Sequence, residues 1–195
     1  MMKKRLSLEK QTLPQRQESK FGFLLLSLSF VIGAMAGSYI GSFFNFDAAL
    51  NDFIGLTALN SLSFFEVFFR FIRFHLAVVL LGSSFLGIVL LPGLSCIRGY
   101  ALSCTAATII SSYPKNGIIM ALVILGIPAI ISLPCFFIMS VDGFICSRRI
   151  FNLINGRAAN RTDKFFARAF ACLPFLAVGT LLEMKLIPYL VSLLT

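Results

Sequence analysis

From His75 to Leu91 the chain runs without an ionised side chain, and Pro92-Gly93 interrupts the run. Arg98-Gly99-Tyr100 then stands directly before a second apolar run. A water-soluble fold has little reason to set an arginine between two such stretches. A bilayer protein has one, because cationic residues beside apolar runs fix orientation across a membrane. A helix crossing the hydrocarbon core needs about 20 mostly apolar residues. The chain supplies several such runs, the first being 26 charge-free residues from Phe21 to Phe46. The expected fold is therefore all-α: a polytopic integral membrane helical bundle of about five transmembrane helices with proline-broken segments.

Composition agrees. Of 195 residues, 58% are hydrophobic and 13% charged, where soluble domains average about 25% charged. Only the first twenty residues and one later basic loop read as solvated. The net charge of +9 does not point to nucleic acid, because the basic residues flank apolar runs, where topology and anionic headgroups place them. Membrane lipids are the expected surroundings. The five cysteines (Cys96, Cys104, Cys135, Cys146 and Cys172) form no C-x-x-C pair, so they read as small packing residues rather than a zinc or redox site.

Residues 1–20 form a basic cytoplasmic tail and 21–195 a membrane domain, with spans at about 21–44, 75–92, 95–113, 118–141 and 165–182. The first apolar run is too long for a cleaved signal peptide and is read as a retained span. It carries Gly33, Gly37 and Gly41, a smooth face at four-residue spacing that lets another helix backbone approach closely. The partner helix can be internal, in another protein or in a second copy of the chain. Residues 45–66 contain acids but no Lys or Arg, which places them outside. Six phenylalanines then surround Glu66, Arg70 and Arg73, an interfacial lead-in in which Glu66 and Arg70 can pair one turn apart. Small residues recur in the second span as Ser83 and Gly87. Gly99 to Tyr113 gives only about 22 Å of helix, so the third span has to begin nearer Ser95. Arg98 then lies somewhat inside the cytoplasmic interface and has to snorkel or find a partner, as an interface anchor or as a recognition residue.

Lys115-Asn116-Gly117 is the expected outer turn. Pro128 and Pro134 are expected to kink or break the fourth span. Arg148, Arg149, Arg157, Arg161, Lys164 and Arg168 against Asp142 and Asp163 mark a cytoplasmic loop. The last span either ends near Leu182 or centres on Glu183; Lys185 beside it favours a water interface. The N-terminus is thus expected inside the bacterial cytoplasmic membrane and the C-terminus outside.

Chemistry finds little support. His75 is the only histidine, too few for a histidine-based metal centre. Ser83 and Ser84 lie about 12 Å further along the same helix, out of its reach. No phosphate-binding, dinucleotide or metalloprotease motif occurs. The chain is expected not to be an enzyme and to need no cofactor. A transport role stays open through Arg98, Glu183 and the proline-containing helices.

The stretch LLGSSFLGIVLLPGLSCIRGYALS is similar to the stage II sporulation protein M family. The matching positions are Leu80, Leu81, Gly82, Gly87, Pro92, Arg98, Gly99 and Tyr100; Leu133, Pro134 and Cys135 in LPCFFIMSVDGF add to them. The resemblance implies a noncatalytic multi-span protein that anchors peptidoglycan-degrading partners, sporulation proteins D and P, during engulfment of the forespore. Gly33, Gly37, Gly41, Gly82, Gly87, Pro92, Arg98, Gly99 and Tyr100 are the candidate packing or partner-contact residues. The alternative is a transporter or channel subunit with an envelope role outside sporulation.

Overall fold

The structure is a computed structural model, and it describes residues 2–43, 64–112, 117–156 and 165–194, with side chains over 19–43, 72–112, 117–156, 165–179 and 181. These residues form five helices: α1 (Met2–Phe43), α2 (Phe64–Gly82), α3 (Gly87–Ser112), α4 (Gly117–Ile154) and α5 (Phe165–Leu194). No strand occurs among them. Ser19–Phe43 of α1, α3 and α4 are each long and apolar enough to cross a bilayer. The all-helical membrane bundle expected from the apolar runs is the fold observed. The outer-loop residues 45–63, Lys115 and Asn116, and Arg157, Arg161, Asp163 and Lys164 lie outside the described residues. So do the side chains of Glu66, Arg70, Glu183 and Lys185.

The bundle wears its apolar residues on the outside. Val89 and Ile130 are 75% and 74% exposed, and Leu24, Met35, Leu80 and Phe170 stand out similarly. Inside, Leu26, Val78, Leu91, Phe136 and Leu176 are buried together with His75, Ser95, Arg98, Ser132 and Ser147. Contiguous exposed apolar surface on this scale is unlike a soluble monomer and is what lipid contact requires.

Helix α1 runs parallel to α3 along most of its apolar length, and α4 lies antiparallel to α1, with Phe137 stacked edgewise on Phe30 at 5.5 Å between centroids. Helices α2 and α5 flank α4. Leu26, Val78, Leu91, Phe136, Met139 and Leu176 join all five helices into one core.

The break expected at Pro92-Gly93 falls instead at Ser83–Leu86, so α2 begins within the phenylalanine lead-in and Pro92 sits in the second turn of α3. The turn is made by small residues. Ser83 Oγ donates to Leu80 O at 2.8 Å, and Leu86 N donates to Ser84 Oγ at 3.3 Å. Proline that early in a helix removes one backbone donor but does not end the helix. Gly82-Ser83-Ser84 is its mark in sequence, a short one, because Phe85 and Leu86 carry the apolar run through the turn. Pro128 and Pro134 likewise do not break α4. A π-helical segment, Leu122–Gly126, precedes Pro128 and widens the backbone where the proline ring would crowd it.

Candidate functional site: a glycine seam and a buried arginine

The α1/α3 contact is made almost backbone to backbone. A Cβ on Gly33 would fall on the Cys96 carbonyl, one on Gly37 on the Tyr100 carbonyl, and one on Gly41 would lie 2.6 Å from Cys104 O. From the other side, a Cβ on Gly99 would meet the Phe30 carbonyl and come within 3.2 Å of Ala34 N. No real side chain fits at such distances, so glycine is required at all four positions by approach rather than by φ. Two α3 serines use the closeness. Ser95 Oγ donates to Leu26 O at 2.9 Å and Ser103 Oγ to Ala34 O at 2.6 Å. The face Gly33, Gly37, Gly41 is thus filled within the chain, against Ser95, Gly99 and Ser103 at the same four-residue spacing. Tyr100 contributes its carbonyl to this seam.

A second close contact holds the α2–α3 turn. Gly82 faces Gly143 of α4, where an added Cβ would lie 2.8 Å from Gly143 Cα. Gly87 has no room for a side chain beside Ser147 Oγ and Leu81 O. Ser147 donates towards Leu81 O at 3.3 Å and Gly82 O at 3.2 Å. Leu81 O also accepts from Ser84 N at 3.1 Å, while Gly82 O is one of the carbonyls that the end of a helix leaves without a helical partner. One α4 hydroxyl thereby caps α2.

Between these contacts lies Arg98. It is the twelfth residue of the 26-residue α3, about 17 Å along a helix of about 39 Å. Of the two outcomes expected for its head, snorkelling to water or finding a partner, the second is observed: Arg98 is near mid-helix and 6% exposed. The cause is the turn described above, which starts α3 at Gly87 and carries Arg98 inward. Its Nη2 donates to Ser132 Oγ of α4. Its Cζ lies 4.3 Å from the Phe136 ring centroid and 5.4 Å from that of Phe74. Two aromatic faces around a desolvated guanidinium offset part of the cost of burying its charge, by about 2 kcal/mol or more each in favourable cases. Nη1 is buried with no hydrogen-bond partner.

Ser132 also links α2. His75 Nε2 donates to its carbonyl at 3.3 Å, and the His75 ring meets Phe136 edge-on at 6.2 Å. Arg98, Ser132 and His75 therefore tie α3, α4 and α2 at one depth. The Ser132 hydroxyl accepts from a permanent cation, which cannot act as its base, so this arrangement fastens helices rather than activating a nucleophile. No group of three potential metal ligands occurs among the described residues.

Of the residues singled out from sequence, the structure brings Gly33, Gly37, Gly41, Gly99 and Tyr100 into one seam and Gly82 and Gly87 into another. Arg98 lies between them, and Pro92 stands apart from all three. Ser95, Ser103, Ser132, Gly143 and Ser147 were not legible as partners. Ser95-x-x-x-Gly99-x-x-x-Ser103 was the available signal, since it repeats the spacing of the α1 glycines.

An apolar exterior, small-residue seams and a fastened polar interior define a multi-helix protein built to fit a membrane. A family model, that of stage II sporulation protein M, matches residues 22–185. The chain belongs to that family. No curated protein and no solved structure matches it.

Proposed function

We propose that this protein is a noncatalytic membrane scaffold of the engulfment machinery, one that holds peptidoglycan-degrading partners, sporulation proteins D and P, at the bacterial cytoplasmic membrane. Family membership over residues 22–185 is the observation that carries this reading. The inward direction of the polar groups supports it. Ser95, Ser103, Ser132 and Ser147 hydrogen-bond across helices, as suits a frame that stays rigid while partners act. Lys20 of α1 and the Asp142–Arg168 pair meet at one end of the bundle, which supports a reading with the N-terminus cytoplasmic and the C-terminus extracytoplasmic.

Deleting the gene in its host and imaging sporulating cells with a membrane dye tests the proposal. A septum that forms but does not engulf is the expected result. Normal engulfment would overturn it. The unpartnered Nη1 of Arg98 favours one second reading, a solute path through the bundle. Solute flux in vesicles holding the purified protein, abolished by Arg98→Ala, would establish that reading instead.

A further inference from the structure

A groove of about 870 Å³ runs along α4 on the outside of the bundle, walled by the start of the apolar part of α1 and by α5. Its trough is apolar, formed by Phe23, Pro134, Phe137 and Ile138. From Pro134 to Ile145 it follows about 17 Å of helix, a length suited to an acyl chain. One end alone is polar, and there Ser19, Lys20, Asp142 and Arg168 converge.

At that end Arg168 Nη1 bonds Asp142 Oδ1 at 2.6 Å, while the arginine side chain stays 55% exposed. The rest of its donor fork is therefore open to the groove mouth. Lys20 adds a second cation, so two positive charges and one carboxylate leave a net charge of one to be met. Asp142 Oδ2 is buried and has no hydrogen-bond partner. That oxygen is closed off from the groove, so what faces an occupant there is the net positive charge.

We propose that this groove binds an anionic glycerophospholipid, one whose headgroup adds no cation to its phosphate. Its phosphate sits between Lys20 and Arg168. One acyl chain lies along Phe23, Phe137 and Ile138. The site anchors the α1–α4–α5 corner of the bundle to lipid of one charge, independently of any protein partner.

Native mass spectrometry of the full-length protein, released from detergent with lipids of equal chain length, tests the proposal. Phosphatidylglycerol is expected to remain bound where phosphatidylcholine is lost. Lys20→Gln is expected to weaken it about fivefold, and Arg149→Gln, also at the basic end but outside the groove, to leave it unchanged. Phosphatidylmethanol has the same single charge without the headgroup hydroxyl and is expected to bind as tightly as phosphatidylglycerol. Lys20 is exposed, and an unchanged melting temperature for Lys20→Gln would exclude a folding artefact. Equal retention of the zwitterionic lipid, or no change in Lys20→Gln, would overturn the site. Phosphatidylmethanol lost as readily as phosphatidylcholine would overturn the phosphate as the group recognised.

Discussion

Gly37→Ala adds one carbon atom, and the seam has no place for it. The new Cβ would fall on the Tyr100 carbonyl and lie 2.5 Å from Ser103 Oγ. Ordinary contact begins near 3.4 Å, so α1 has to withdraw by about 1 Å. The Ser103 Oγ to Ala34 O bond, at 2.6 Å, then stretches to about 3.5 Å and is lost as a hydrogen bond. The Ser95 Oγ to Leu26 O bond, at 2.9 Å, lengthens similarly. Interhelical hydrogen bonds in membranes contribute about 0.6 kcal/mol each, and overpacking a tight contact costs about 1–3 kcal/mol. The expected loss is about 2–4 kcal/mol. Equilibrium unfolding in mixed detergent micelles measures it, with Gly93→Ala as control, since nothing stands within 4 Å of a Cβ there. That control should be neutral or stabilising by up to about 1 kcal/mol through helix propensity. A Gly37→Ala protein as stable as the native one would refute the account of the seam.

Other substitutions separate fastening from function. Arg98→Met keeps the length and removes a buried charge; stability should be unchanged or higher by about 1–3 kcal/mol in the same unfolding assay. Should that stable variant also fail to support engulfment, Arg98 acts in recognition rather than in packing. Ser132→Ala, by contrast, leaves the guanidinium without its hydroxyl partner and should cost about 1–3 kcal/mol. Ser147→Ala uncaps the end of α2 and should cost about 1 kcal/mol, with faster amide exchange confined to Leu80–Gly87 as the diagnostic.

Legibility of the chain in sequence followed the range over which each feature is encoded. The α1 glycines were readable because a four-residue spacing is local and lipid-facing helices rarely need three in register. The α2–α3 turn was not, because Gly82-Ser83-Ser84 also reads as a small-residue helix contact and Pro92 imitates a stop signal. That one displacement put Arg98 at an interface instead of near mid-helix. The partnership of Arg98 with Ser132, and of His75 with the same residue, depends on how α2, α3 and α4 meet. No periodicity within one helix records it. Ser147 was hidden for the same reason, since the carbonyls it caps lie 65 and 66 residues away in the chain.

The Arg98–Ser132 bond also sets an order on biosynthesis. The two residues are 34 apart, so at about 5–20 residues per second α3 exists for some seconds before the α4 segment that shelters its charge. During that interval a lone α3 released into lipid would carry a penalty of about 2.5–3.5 kcal/mol at its centre. Helix α1, synthesised earlier and already presenting its glycine face, is the natural companion for α3 in that interval. The pair should leave the insertion machinery together with α4 rather than one helix at a time. Stalling synthesis when α3 has left the ribosome but the Ser132 segment of α4 has not ought therefore to trap α3 beside the translocon, where crosslinking would find it.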